Sequence, residues 1–109
     1  MSIIEEDKLD LIGDNDNDKS VNLGISDHLD WKDVEDHLDI LQKKINSYLN
    51  FIESGQLHTL RPNSVNKKIN IEVIAKYPIP ETVIKKYYTK ITKQLEDAGY
   101  GFKYQELAE

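Results

Sequence analysis

The stretch "DVEDHLDILQKKINSYLNFIESG", residues 33–55, decides the fold. Val34, Leu38, Leu41, Ile45, Tyr48, Leu49 and Ile52 recur at intervals of three, four and seven residues, with Leu49 beside Tyr48, which lines them along one side of a helix with 3.6 residues per turn. Both ends are marked. Asp30 or Asp33 supplies a capping carboxylate, further acids suit the positive end of the helix dipole, and Gly55 permits a left-handed stop. The spacing therefore predicts a helix over 33–54. His37, Ile40 and Phe51 project beside the main stripe and widen the apolar face to about half the circumference, more than a surface helix needs.

Working outward, the period changes to two. Leu9 and Leu11 flank Asp10, and Val21, Leu23 and Ile25 alternate with Asn22, Gly24 and Ser26, on either side of "GDNDNDK" at 13–19. Two alternating runs around an Asp/Asn/Gly-rich connection read as a β-hairpin over 8–26. Beyond the helix, "GQLHTLRPNSVNKK" (55–68) is a connection with a turn at Arg61-Pro62-Asn63 and room for a short strand at 57–60. This segment is expected to fold over the flank at Ile40 and Phe51. "INIEVIAKY" alternates as a strand over 69–77, and "PIPE" ends it. Pro80 suits a first helical turn, and Ile84, Tyr87, Tyr88, Ile91, Leu95 and Ala98 form a second stripe, giving a helix over 80–98 that stops at Gly99. Tyr100, Phe102 and Tyr104 alternate in a last strand over 100–105. The order ββαβαβ implies an α+β fold, a two-layer α/β sandwich in which both helices cover one face of a four-stranded sheet, in a single domain spanning 1–109.

Composition narrows the function. No apolar run approaches the roughly 20 residues of a membrane span, the opening "MSIIEEDKLD" carries acids where a secretory signal carries bases, and the chain has no cysteine. Disulfides and thiolate metal sites are excluded, and a cytoplasmic location is expected. The net charge of −6 conceals an asymmetry: residues 1–39 carry thirteen acids against three lysines, a net of −10, while residues 40–109 carry eleven bases against seven acids, a net of +4. Lys85, Lys86, Lys90 and Lys93 concentrate positive charge on the second helix, yet an isoelectric point near 5.0 opposes nucleic-acid binding, and alternating aromatics in the last strand suit a core.

Candidate chemistry gathers in "SDHLDWKDVEDHLD", residues 26–39, where five aspartates, a glutamate and two histidines surround the single tryptophan. His28, Asp33 and His37 are the candidate metal ligands, since Asp33 and His37 lie four apart on one helix face. The nine-residue spacing of the two histidines does not match a zinc motif, so a capping carboxylate with a neighbouring imidazole is the favoured reading. Asp14, Asp16 and Asp18 begin like a calcium loop, but Lys19 and Ile25 stand where the motif needs glycine and glutamate. Ser26, Ser47 and Ser54 have no nucleophile-elbow context, and no glycine-rich phosphate loop is present. No cofactor is expected.

The segments "DKLDLIG", "ISDHLDW", "HLDILQKKINSYLNFIESG" and "KYPIPE" together resemble a family of small bacterial proteins known only as a domain of unknown function, over residues 7 to about 104. The resemblance implies a bacterial cytoplasmic origin and brings no activity, ligand or catalytic residue. The leading expectation is a non-enzymatic acidic protein-protein interaction module of immunity, inhibitor or regulatory type, which meets its partner through Asp27, His28, Asp30, Trp31, Asp33, Asp36, His37, Ile40 and Phe51. The alternatives are a metal-assisted enzyme using the Asp/His cluster at 27–37 and a homo-oligomer joined through Ile40 and Phe51.

Overall fold

The computed structural model describes residues 3–4, 9–15, 19–60, 62 and 67–107. Its four strands, β1 Leu11–Asn15, β2 Ser20–Asp27, β3 Lys68–Ala75 and β4 Gly101–Glu106, lie side by side in chain order. The hairpin β1–β2 is antiparallel, while β2–β3 and β3–β4 are parallel. Parallel neighbours need crossovers, and α1 (Val34–Glu53) and a second helical rod supply them. Both crossovers advance the same way across the sheet, so right-handed connections put both helical elements over the same face.

That face is apolar because β2 and β3 alternate in register. Val21 faces Ile69, Leu23 faces Ile71, and Ile25 faces Val73, all buried. The helices add Leu41, Ile45, Tyr48 and Ile52 from α1 and Val83, Tyr88, Ile91 and Leu95 from the rod. The opposite face is polar: Asn70 Nδ2 donates to Asn22 Oδ1 at 2.9 Å, and Gln105 reaches Glu72 at 3.4 Å. Gly101 lies under the Asn70 amide, whose Oδ1 occupies the space a Cβ would need.

Three local readings change in three dimensions. Residues 57–60 form no strand; they belong to a short helix, α2 (Gln56–Leu60), which begins where Gly55 turns at φ +86° and which buries Leu57. In the hairpin, Asp10 and Ile12 point inward while Leu11 is 49% exposed, the reverse of the phase that Leu9 and Leu11 suggest. The cause is polar: Asp10 Oδ1 meets Lys44 Nζ at 2.9 Å, its Oδ2 accepts from Ser26 N at 3.0 Å, and its own N–H donates to Tyr48 Oη at 2.9 Å. Lys44 is accordingly fully buried on α1, and Tyr48 completes the cluster by donating to the Gly24 carbonyl at 2.6 Å. The acids Asp16 and Asp18 of the calcium-like tract lie outside the described residues.

The second rod is also irregular. A turn of α3 (Glu81–Val83) passes through a π-helical turn at Ile84–Tyr88 into α4 (Thr89–Asp97), and the Ile84 carbonyl accepts from Thr89 N–H five residues on. The extra residue changes which tyrosine enters the core. Val83, Tyr88, Ile91 and Leu95 face inward, Tyr87 is half-buried and Ala98 is exposed. Tyr88 then meets Phe102 and Tyr104 edge-on, at 5.5 and 5.1 Å between ring centres, so the β4 aromatics belong to the margin of the core.

Two predictions follow from the buried polar groups. Lys44→Met leaves the Asp10 carboxylate buried without its cation and is expected to cost about 3–5 kcal/mol in urea unfolding. Adding Asp10→Asn, which keeps an oxygen for Ser26 N–H, should recover part of that loss; a double variant no more stable than the single one would refute this account. Burial pushes the Tyr48 and Tyr88 phenols above their ordinary value of 10.0. The folded state thus keeps protons that the unfolded chain releases, so stability is intact below pH 10 and falls as pH rises past it. Tyrosinate absorbance should show these two of the six tyrosines ionising only as the protein unfolds.

Candidate functional site

Strand β2 ends at Asp27, and the seven residues to the first turn of α1 are shaped by aspartates three apart. Asp27 Oδ1 accepts from Leu29 N–H, Asp30 Oδ1 from Lys32 N–H, and Asp33 Oδ1 from Asp36 N–H, each at 3.1 Å. The first two are side-chain-closed turns and the third is the helix cap, as short carboxylates favour at such places. Each aspartate thereby commits one oxygen to the backbone.

His37, in the first turn of α1, clamps the segment from the inside. Its Nδ1 lies 2.9 Å from the Asp30 carbonyl and its Nε2 lies 2.6 Å from Asp27 Oδ2; imidazole and carboxylate are both buried. A carbonyl can only accept, so Nδ1 carries a hydrogen. Trp31 stacks on the imidazole at 3.6 Å with 18° between the ring planes, sealing it from above.

Outside this clamp lies an open cleft of about 240 Å³, lined by His28, Leu29, Asp30, Asp33, Asp36, His37 and Tyr77. Asp30, Asp33 and Asp36 stand on its exposed walls, and Tyr77, 40% exposed, closes the side toward β3. The cleft sits at the carboxyl end of the parallel strands, where Lys76 N–H donates to the Asp27 carbonyl and Leu107 N–H to the Ala75 carbonyl, each at 2.8 Å. Open α/β sheets bind their ligands at this end. The first turn of α1 adds Glu35 and Asp36.

Of the residues singled out in the sequence, His28, Asp30, Asp33, Asp36 and His37 line the cleft, while Asp27 and Trp31 hold His37 without lining it themselves. Ile40 and Phe51 stand apart from the cleft. Ile40 lines a separate hollow of about 220 Å³ with Ile3, Ile4 and Lys43, and Phe51 packs half-buried near the other end of α1. Tyr77 is the member that pattern reading missed; it continues the alternation of β3 and so reads as core, although the strand ends at Ala75. Among the described residues no set of three or more His, Asp or Glu side chains is arranged to hold a metal ion. Both His37 nitrogens are engaged, so a cation beside His28 and Asp33 would gain no third ligand from it without breaking the clamp.

Architecture and cleft together define a small α+β protein with an open mixed sheet and an acidic cleft at its carboxyl end. Residues 1–108 match the model of the family of unknown function DUF6572, and the chain belongs to that family. No curated protein and no solved structure matches it.

Trp31 is the only tryptophan, so its emission reports on the clamp alone. Replacing His37 by Ala strips the stacked ring from Trp31 and leaves Asp27 buried without its partner. A changed emission in the folded state and a loss of about 3–5 kcal/mol in unfolding are expected; an unchanged spectrum with native stability would show that the clamp is not a structural unit.

Proposed function

We propose that the protein is a binding module that receives a basic surface of another protein in the cleft at the carboxyl end of the sheet, as immunity, inhibitor or regulatory proteins do. The observation that carries this reading is the state of the aspartates. Asp30 and Asp33 each spend one oxygen on a backbone N–H, which holds the carboxylate in place with its other oxygen available to solvent. Such carboxylates are ordered before a partner arrives, so contact with a lysine or arginine forfeits little conformational entropy. Tyr77 and Leu107, 40% and 53% exposed, offer apolar contact where the strands end. The net −10 of residues 1–39 adds a field that speeds encounter with a positive partner. We infer a cytoplasmic encounter, in keeping with a chain that has no cysteine; no described helix is long and apolar enough to cross a membrane.

A second reading, self-association, draws on the hollow beside Ile40, where Ile4 is 59% exposed. Light scattering across a concentration series separates the two, because a monomer at high concentration removes it.

The test of the leading reading is the triple variant Asp30→Asn, Asp33→Asn, Asp36→Asn. Asparagine keeps the oxygens that cap Lys32 and Asp36, so the fold should survive while three negative charges vanish. Capture of the partner by the immobilised protein is expected to fall by about tenfold or more and to be salt-sensitive in the wild type. Equal capture by a natively folded triple variant would reject the reading.

A further inference from the structure

The two edges of the sheet differ. Strand β4 exposes Lys103, Gln105 and Glu106, charged and polar side chains of the kind that keep a free edge from pairing. β1 has neither lysine nor proline. Among the described residues only β2 pairs with it, so its outer N–H and C=O groups have no ladder partner there. Leu11 lies on the open face of the sheet, while Ile12 and Asp14, opposite Leu23 and Val21, alternate onto the helix side. The glycine at the centre of this strand is not explained by the fold. Gly24 and Gly101 lie under Leu11 and Asn70, and Gly55 and Gly99 adopt positive φ, whereas Gly13 does neither and has no described atom within 4 Å of the place a Cβ would take. Glycine inside a strand weakens it and marks a place where another backbone comes close.

Above the same edge the outer flank of α1 is apolar. Ile40 and Lys43 border the hollow of about 220 Å³ with Ile3 and Ile4. It stands at the Leu11 end of β1: Lys44, next to Lys43, reaches Asp10, and Ile3 N–H donates to the carbonyl of Ser26, whose own N–H is held by Asp10. We propose that β1 pairs antiparallel with β1 of a second copy about a two-fold axis at Gly13, joining two sheets into one; this rests on the self-association reading above and names its surface. Residues directly opposite share a face of the sheet, so such an axis passes through a residue. At Gly13 all five residues of the strand pair: Leu11 faces the partner's Asn15, Ile12 faces the partner's Asp14, and the glycine meets its copy with no side chain to crowd it. An axis at Asp14 would set two carboxylates opposite each other, which is unfavourable, whereas the axis at Gly13 makes the two Ile12 side chains diagonal neighbours. It also brings the partner's Asp14 onto the helix side beside Ile12, toward the exposed ammonium of Lys43, so the charges are complementary. One short strand and one helical flank cover less than the roughly 800 Å² per partner of a stable complex, so the dimer is reversible.

Sedimentation equilibrium of the full chain, from low micromolar to near-millimolar concentration in physiological salt, is the first measurement, and a reversible dimer is expected. The chain has no cysteine, so Gly13→Cys places a single thiol at the axis, where opposed Cα atoms at roughly 4.5–5.5 Å are within disulfide reach. Mild oxidation should lock this variant as a covalent dimer and leave Lys103→Cys, on the far edge, unlinked. Lys43→Glu should weaken association about tenfold, since the symmetry counts each ion pair twice, and adding Asp14→Lys should restore it. A monomer at every concentration overturns both this geometry and self-association. A dimer that Gly13→Cys does not lock, or that Lys103→Cys locks as well, overturns the geometry alone. Where Gly13→Cys does not fold, the charge swap decides: a dimer untouched by Lys43→Glu, or not restored by the second substitution, overturns the proposal.

Discussion

Helix α1 is seated on the sheet by polar contacts as much as by apolar ones. His37, Lys44 and Tyr48 are all buried on its inner face, and each reaches a fixed partner on or beside the hairpin: Asp27, Asp10 and the Gly24 carbonyl. Taking two charges out of water costs nearly what their attraction returns, so such pairs add little net stability over apolar residues of the same size. Their effect is on geometry. A helix held only by Leu41, Ile45 and Ile52 can rotate or slide and still bury hydrocarbon, whereas any displacement of α1 leaves the Lys44 ammonium or the Asp27 carboxylate buried without a partner, a far larger penalty. The polar contacts thus select one rotation and one height for the helix.

Everything at the carboxyl end of the sheet inherits that selection. Because α1 stands at one height, His37 falls level with Asp27 and with the Asp30 carbonyl, and the intervening chain has one course to follow. The turns closed by Asp27 and Asp30 and the cap from Asp33 then set the directions of the outer carboxylates. The cleft is a consequence of helix registry, not of a flexible loop that happens to be acidic.

The elements were legible in the sequence where local pattern and long-range packing agree. The stripe through Leu41, Ile45, Tyr48 and Ile52, the alternation of β3 and the order ββαβαβ depend on periodicity alone, and the structure has an α+β sandwich with a four-stranded sheet. Reading failed where a polar partner distant in the chain overrides the pattern. Asp10 between two leucines looks like the outward residue of a strand, and nothing near it announces Lys44, thirty-four positions away. Lys44 itself follows another lysine, with nothing local to mark it as buried. On the second rod, adjacent Tyr87 and Tyr88 both suit a regular helix, and only the five-residue step from Val83 to Tyr88 hints that a π-turn chooses between them. The cleft was half legible. The aspartates three apart with a histidine following on the helix marked the segment, but the division into a locked inner shell and an exposed outer one needs the fold.

That division explains how a chain can concentrate so much negative charge at one place without weakening itself. Asp33, Glu35 and Asp36 lie at the amino end of α1, where the unpaired N–H groups and the helix dipole favour anions by about 0.3–1 kcal/mol each at an exposed position. Mutual repulsion among the carboxylates is of similar size and is screened by water and salt, so the cluster is close to neutral for folding. The inner carboxylate, Asp27, is under the opposite regime: it is buried, its interactions are screened little, and its position is tied to His37 at 2.6 Å. Charge on the outer walls can therefore change with little effect on the fold, while the floor beneath them cannot. A surface free to vary, on a base that is not, supports the partner recognition we propose, because the outer carboxylates can be matched to a partner without disturbing the fold that holds them.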